Sequence, residues 1–378
     1  MATVTASHPL QTRSPAASAE ASQRKGYNLP WLDALKGIAI LAVVLDHSFI
    51  VDDYVLWKHL YFSVSWFIFL AGVSNTYTAR LREFEPRRDC VAYWRHRLNG
   101  LLWPYLCVSV VAYLLVDARI WTGGRYLREL LLFHTLPPLY FIALLLQMLA
   151  IFPLLFALIY RWGWKGRLAL ALAIVPVATR LSSDVTFPWV LGAHYLFGAS
   201  FLYLFVLGML LQPQLTSSRL HPVVWLALGV PIFVWFEHLN LDSKGVLMTH
   251  PPSNVLVAYS VGLLLICYAA ARLFGDWSGL RWLRGLGRRS LDIFLYHYIF
   301  VLPILPYHHG VHIGALSTVQ SQLLLMAADV PFAIVGSLLL GPAVAAVRAQ
   351  LAALASGLLQ RADLLPGRLA TTRQTRLE

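Results

Sequence analysis

The sequence predicts an all-α fold, a polytopic membrane helical bundle with about ten transmembrane helices. Hydrophobic residues make up 58% of the 378-residue chain and charged residues only 13%, whereas soluble domains contain about 25% charged residues. The mean hydropathy is +0.63. Many windows of about 20 residues are almost free of charge, and a helix of that length crosses the hydrocarbon core of a bilayer.

Ten segments have the length and apolarity of a membrane-crossing helix, although the fifth is short and contains Pro176. Residues 1–27 are rich in Ala, Ser and Thr and lack the apolar core of a signal peptide, so we predict a flexible cytoplasmic tail. Residues 28–349 are the predicted transmembrane domain and residues 350–378 a cytoplasmic C-terminal tail. The ten predicted spans are about 32–51, 57–79, 98–116, 139–160, 167–181, 193–212, 222–238, 254–273, 290–307 and 322–347.

The basic residues predict the orientation of the bundle, because Lys and Arg accumulate in cytoplasmic loops. Ten spans that start from a cytoplasmic N-terminus place most arginines in inner loops, including the dense group from Arg80 to Arg97. The predicted topology is therefore N-in and C-in. The same bias accounts for the net charge of +12, and the lack of a soluble basic module argues against a nucleic-acid partner. The outer loops would hold only Lys58, Arg119, Arg125, Arg128 and Lys244.

The first predicted span, WLDALKGIAILAVVLDHSF, carries ionisable side chains on an apolar helix. A charge near the bilayer centre costs at least ~2.5–3.5 kcal/mol, so Asp33, Lys36 and His47 are candidate functional residues. Lys36 and His47 are eleven positions apart, which places both on one helix face, roughly 16 Å apart along the axis. The structural alternative is that Lys36 extends to the lipid headgroups and His47 is a hydrogen-bonded core histidine.

An arginine-rich stretch, RLREFEPRRDCVAYWRHRLNGLLWPY, follows the second predicted span. One interpretation is ordinary positive-inside character with contacts to anionic membrane lipid. The other is a cradle for a polyanionic ligand, because guanidinium groups bind phosphate through paired hydrogen bonds. Arg95 and Arg97 are the candidate residues for such a cradle.

A second basic stretch, RWLRGLGRRSLDIFLYH, leads into the ninth predicted span. Ser290 and His297 share a helix face but are about 10 Å apart along the axis, too far for a direct hydrogen bond. We predict that Ser290 is the helix N-cap, and that His297 is either a site residue or a core histidine. Asp329, in the last span, is a further candidate that is expected to pair with a cation or a histidine. The cysteines and outer-loop histidines lack metal-ligand spacing, so no metal site is predicted.

Four blocks of this sequence, taken together, resemble a known family. The first, LDALKGIAILAVVLDHS, fits a pattern of a basic residue, ten residues and a histidine. The others are WFIFLAGVS, RHRLNGLLWPY and GRRSLDIFLYH, and LYFIALLLQMLAIFPLL resembles the fourth span of the same family. In this order and on about ten spans, they resemble the membrane-bound acyltransferase family 3, the integral-membrane O-acyltransferases of envelope saccharides.

The resemblance implies an O-acyltransferase, most often an O-acetyltransferase, that uses acetyl-CoA or another acyl-CoA as co-substrate and holds no permanent cofactor. The implied acceptor is a hydroxyl of an envelope or exported saccharide or glycolipid, and the implied location is the inner or plasma membrane. The resemblance assigns Lys36 and His47 as essential. The chemistry agrees, because a hydroxyl that attacks a thioester needs a base such as imidazole, and Lys36 with Arg97 suits the anionic CoA.

Two positions depart from the family pattern. Lys36 stands where arginine is commoner, and Gly100 replaces the second of two arginines three residues apart, of which Arg97 is the first. Arg95 is the residue expected to compensate. The alternative function is a transporter or flippase for a saccharide or acyl compound, in which Lys36, His47 and Asp329 are charges along the pathway.

Overall fold

The computed structural model describes residues 29–48, 59–114, 123–133, 135–161, 163–184, 200–217, 220–242, 254–275, 277–302 and 318–363. These ranges are almost entirely helical and contain no β-strand, which confirms the predicted all-α fold. In chain order the α-helices are α1 (Pro30–Ser48), α2 (Phe62–Leu81), α3 (Pro86–Ala112), α4 (Gly123–Leu132), α5 (Tyr140–Arg161), α6 (Gly163–Asp184), α7 (Ser200–Thr216), α8 (Pro222–Asp242), α9 (Asn254–Leu273), α10 (Gly279–Arg288), α11 (Ser290–Val301) and α12 (Thr318–Asp363).

Each of the ten predicted spans overlaps one of these helices, while α4 and α10 are two further short helices. Four stretches of the described chain are long and apolar enough to cross a membrane by themselves: Pro137–Tyr160, Pro222–Leu239, Asn254–Leu273 and Leu323–Leu354. Helix α1 is not among them because it carries several charged side chains. The charged residues that identify α1 as a functional candidate therefore also make it less apolar than a typical membrane-spanning helix.

Two helices differ in length from the sequence prediction. Helix α3 begins at Pro86, inside the stretch that was predicted as a loop before residue 98. Helix α12 continues to Asp363, past the predicted start of a tail at residue 350. Its C-terminal part is rich in Ala and Leu, which have high helix propensity, so the helix extends beyond the apolar segment.

Helix α1 lies at the centre of the bundle and contacts α2, α9, α10, α11 and α12. Leu35, Ile40 and Val44 of α1 have no exposed surface. A helix that is apolar around most of its circumference is typical of such a central position. The apolar core of α1 therefore packs against other helices.

Helix α10 lies against the beginning of α1 with the two backbones in contact. A Cβ atom at Gly37 would overlap the backbone carbonyl of Leu283, and a Cβ atom at Gly287 would overlap that of Asp33. Small residues permit such close approach between helices in membranes. This contact fixes the basic helix α10 beside Asp33.

We expect Gly37→Ala to destabilise the protein, because the added methyl group forces α1 and α10 apart. Overpacking of this kind costs about 1–3 kcal/mol. The melting temperature of the purified protein in detergent should fall for Gly37→Ala. Gly285→Ala is the control, since a Cβ at Gly285 meets no atom within 4 Å. Equal melting temperatures for the two variants would contradict the close contact.

A tight turn returns the chain from α2 to α3 and positions Arg97. Glu83 takes a positive φ of 51° in this turn. Pro86 begins α3, where its missing N–H leaves no intrahelical hydrogen bond unmade. Hydrogen bonds from Arg88 lower the pKa of Asp89 in the first turn to about 2, and a carboxylate there interacts favourably with the helix dipole. Helix α3 thus reaches Arg97 about three turns after its start, beside α1.

Candidate active site

A cavity of about 300 Å³ lies among helices α1, α2, α3, α5 and α11. This volume is at the lower end of the range for small-molecule sites, roughly 300–1,000 Å³. Both polar and apolar residues line the cavity. Seven are polar or glycine: Lys36, Ser74, Asn75, His96, Arg97, Gly100 and Ser290. The others are apolar: Phe67, Ala71, Leu101, Phe141, Leu145, Leu149, Leu291 and Phe294.

Two cations face this cavity from different helices. Lys36 extends from α1 and Arg97 from α3, both half-buried, and the two charges repel each other. The guanidinium carbon of Arg97 lies 5.6 Å from the ring centroid of Tyr93, which holds the Arg97 side chain in place. The Tyr93 hydroxyl donates a hydrogen bond of 3.2 Å to Oδ1 of Asn75. A cavity lined by charges of one sign attracts an anionic ligand.

An aromatic cluster of Phe67, Phe141 and Phe294 also lines the cavity. The ring centroids are 4.7 Å apart for Phe141 and Phe294, 5.8 Å for Phe67 and Phe141, and 6.4 Å for Phe67 and Phe294. These rings suit an apolar part of a ligand. The Phe294 ring also lies 6.1 Å from the ring of His297, so Phe294 links the cavity to the histidines described next, neither of which is among the residues that line the cavity.

His47 and His297 lie against each other beyond the aromatic cluster. Nδ1 of His47 is 3.4 Å from Nε2 of His297, and the ring centroids are 5.1 Å apart. His297 is completely buried, whereas His47 is half-buried. The ring of Tyr298 meets the His47 ring edge to face at 5.5 Å. The structure therefore joins two histidines that the sequence placed on separate helices.

Backbone carbonyls determine the tautomer of each histidine. Nδ1 of His47 donates to the carbonyl oxygen of Val43 at 2.8 Å. Nδ1 of His297 donates to the carbonyl oxygens of Ile293 at 3.0 Å and Phe294 at 2.8 Å. A neutral imidazole carries one N–H, so both Nε2 atoms are acceptors. The Nε2 atom of His47 is thus available to take a proton.

The other predicted site residues divide into two groups. Arg97 lines the cavity, as does Ser290, but Arg95 is exposed and does not. Asp33 is half-buried within electrostatic range of Lys36, Arg288 and Arg284, which makes it a partner of the basic helix α10. Asp329 is half-buried in α12 and is not among the residues that line the cavity.

The prediction that Ser290 is an N-cap is wrong. Ser290 is the first residue inside α11, Arg289 occupies the N-cap position, and no side-chain hydrogen bond caps this helix. The reason is that α10 ends at Arg288, so α11 follows almost without a break and leaves no extended residue for a serine cap. The hydroxyl-bearing residue instead faces the cavity beside Lys36.

Comparison with protein families decides the general class. A family model described as an acyltransferase domain matches residues 29–343, which includes Lys36, Arg97, His47 and His297. The chain is a member of acyltransferase family 3. It is accordingly a membrane acyltransferase, and the cavity and the histidine pair lie within its acyltransferase domain. No curated protein and no solved structure matched the chain.

Sequence reasoning missed several cavity residues of this acyltransferase. His96 and Asn75 contribute polar groups, and Phe67, Phe141 and Phe294 form the aromatic cluster. The helical phase of α3 could have identified His96, because positions 96, 97 and 100 follow the i, i+1, i+4 spacing of one face. The phenylalanines could not be distinguished from other core residues, since their partners lie on separate helices.

Proposed function

We propose that this acyltransferase transfers an acyl group, most often acetyl, from acyl-CoA to a hydroxyl of an envelope or exported saccharide or glycolipid. The observation that supports it best is the sequence of environments along α1. A cation-lined cavity at Lys36 is followed by an aromatic cluster and then by the unprotonated Nε2 of His47. This order matches the anionic, apolar and reactive parts of an acyl-CoA.

The cavity suits an acyl-CoA whose pantetheine arm and nucleotide bind to different residues. The volume of about 300 Å³ suits an acyl-pantetheine arm, while the charged nucleotide end stays with Lys36 and Arg97. Ammonium and guanidinium groups bind phosphate through charge-assisted hydrogen bonds. Side chains must rearrange to let the thioester reach His47, because His47 is not among the residues that line the cavity.

The reaction needs a base that takes the hydroxyl proton and an acid that returns a proton to the leaving thiolate, and His47 serves as both in turn. The acceptor hydroxyl oxygen attacks the thioester carbonyl carbon as its proton passes to Nε2 of His47. The carbon–sulfur bond then breaks, and the CoA thiolate takes the proton back from Nε2. The products are the ester and free CoA, and His47 returns to its starting state.

The proposed orientation is N-in and C-in, in the plasma or inner membrane, with about ten spans. It places the Lys36 end of α1 at the cytoplasm, where acyl-CoA is found, and His47 nearer the outer leaflet. Reporter fusions at Glu83 and Arg284 should score as cytoplasmic, and a fusion at Ser243 as extracytoplasmic. A cytoplasmic score at Ser243 would reject this topology.

Two measurements test the proposed function directly. CoA should raise the melting temperature of the purified protein, increasingly so at higher concentration and roughly with its logarithm above the Kd, and pantetheine, which lacks the nucleotide phosphates, should raise it less. Mass spectrometry should find acyl esters on envelope glycans of the native host and lose them when the gene is deleted. Proton-linked saccharide uptake without a CoA effect would instead favour the transporter hypothesis.

Gly100→Arg should strengthen CoA binding. Gly100 lines the cavity, and a Cβ there meets no atom within 4 Å, so a longer side chain fits. An added guanidinium would supply a second cation on the face of α3 that carries Arg97. One charge-assisted hydrogen bond is worth about 1.5 kcal/mol, or roughly tenfold in Kd. Calorimetry of CoA binding measures this change.

The control for Gly100→Arg is Gly100→Gln, which has similar length and helix propensity without the charge. We expect the Kd for CoA to stay near the parent value in Gly100→Gln. Equal affinities for the two variants would show that the phosphates of CoA bind away from this part of the cavity.

A further inference from the structure

We propose that His297 is a positioning residue for His47: together with the carbonyl oxygen of Val43 it holds His47 in the Nδ1–H tautomer, and it accepts a share of the Nδ1–H hydrogen bond of the imidazolium that forms during transfer. This inference rests on the proposed function, in which His47 is the base. His297 itself touches neither the donor nor the acceptor. It acts only through the His47 ring.

The direction of the contact between the two rings follows from their backbone partners. Nδ1 of His297 already donates to two carbonyl oxygens, so its Nε2 atom is an acceptor. The group that faces this Nε2 is Nδ1–H of His47, at 3.4 Å. The same N–H also donates to the carbonyl oxygen of Val43 at 2.8 Å, so two acceptors share it. His47 therefore donates and His297 accepts. Catalytic hydrogen bonds are often long in unliganded enzymes and shorten when substrate is bound.

The complete burial of His297 makes the loss of its contact with His47 costly. His297 has no exposed surface, so water does not replace His47 as the donor to its Nε2 atom. A buried acceptor that loses its donor costs about 1–3 kcal/mol, and this cost opposes rotation of the His47 ring. The edge-to-face contact with Tyr298 fixes the ring plane as well. The Nε2 atom of His47 is consequently held as the proton acceptor.

His297 takes the place of the carboxylate that orients histidine in many hydrolytic triads. Asp46 does not take this role, because it is adjacent to His47 in sequence and its side chain leaves α1 about 100° away. A neutral imidazole can accept the Nδ1–H bond without adding a second charge to the membrane interior, where an ionised group is costly. The proton of His47 Nδ1 stays on His47 throughout.

Two substitutions at position 297 test the proposal by kinetics. His297→Met removes the acceptor but fills the space with a flexible apolar side chain, and His297→Gln retains an acceptor oxygen. With acetyl-CoA and native membranes as acceptor source, kcat should fall about 10- to 100-fold in His297→Met, with an unchanged KM for acetyl-CoA. His297→Gln should recover most of the loss. Ser260→Ala, which also removes a buried hydrogen bond to a carbonyl four residues earlier, should keep the parent rate.

Two further measurements separate positioning from a structural role. In a His47→Ala background, His297→Met should cause no additional loss of transfer, because residues that act as a unit are non-additive. Nitrogen NMR of histidine-labelled parent protein, with the His47 signals assigned by their absence in His47→Ala, should show a protonated Nδ1 and a bare Nε2. This spectrum needs no variant at position 297. It therefore tests the proposal even if the His297→Met protein does not fold.

The outcomes distinguish this inference from the proposed function. If His47→Ala transfers acetyl groups at the parent rate, the proposed function of His47 fails first. If His47 is required but His297→Met keeps the parent kcat, or its loss adds fully to that of His47→Ala, His297 is not a positioning residue. A protonated Nε2 on His47 in the parent spectrum would also overturn the inference.

Discussion

Replacing His47 with alanine is expected to lower the rate of acyl transfer by about 10²–10⁴-fold, the usual contribution of a general base. The variant should still fold, although less stably. The Val43 carbonyl lies within α1, and the Nε2 atom of His297 loses its donor at a cost of about 1–3 kcal/mol, which is less than the ~5–15 kcal/mol by which native proteins are usually stable. The affinity for CoA should stay close to the parent value, since His47 does not line the cavity. Transfer rates and CoA calorimetry on the same protein preparation measure both effects.

The matched variant is His47→Gln. Glutamine keeps hydrogen-bonding capacity at this position, but its amide does not accept a proton near pH 7. Its rate should therefore be as low as that of His47→Ala. If polarity alone were required, glutamine would restore activity while alanine would not.

Replacing Lys36 with alanine is expected to weaken CoA binding by about 10- to 100-fold, the equivalent of one charge-assisted hydrogen bond. Lys36→Arg should retain most of the affinity, because the charge and its depth in the bundle survive. Calorimetry of CoA binding to both variants makes the comparison.

Lys165→Ala serves as the control for Lys36→Ala. Lys165 is an exposed lysine of α6 that does not line the cavity, so its loss changes the net charge by the same amount. The control should bind CoA like the parent. If the two alanine variants lose equal affinity, general electrostatic attraction rather than a defined anchor holds the donor.

The sequence alone could predict the functional face of α1. Lys36 and His47 belong to one helix, so their spacing and the period of the α-helix place them on the same face without any tertiary information. The free-energy cost of placing an ionisable side chain in an apolar segment identifies them as candidates, and this too needs no tertiary information. The helical class follows from apolarity and length, which are also local properties.

The site itself depends on contacts that are distant in the chain. His47 and His297 are 250 positions apart, and only the packing of α11 beside α1 shows that they touch. Arg95 is predicted from its charge and from the missing second arginine at Gly100, but it is exposed. His96 lines the cavity instead, which depends on the rotation of α3 against the other helices.

The sequence predicts Ser290 as a helix cap because serine is common at that position. In the structure α10 ends at Arg288 and α11 begins at Ser290. This near-continuity depends on how both helices pack against α1, which the local sequence does not show.

The central claim is that His47 takes the proton of an acceptor hydroxyl while an acyl group leaves CoA. Membranes of the native host, carrying either the parent protein or His47→Gln, can be incubated with radiolabelled acetyl-CoA, and the label in the envelope glycan fraction then counted. The account predicts ester-linked label with the parent protein and at least about 100-fold less with His47→Gln, although both proteins bind CoA equally. Label at the parent level in His47→Gln membranes would contradict it.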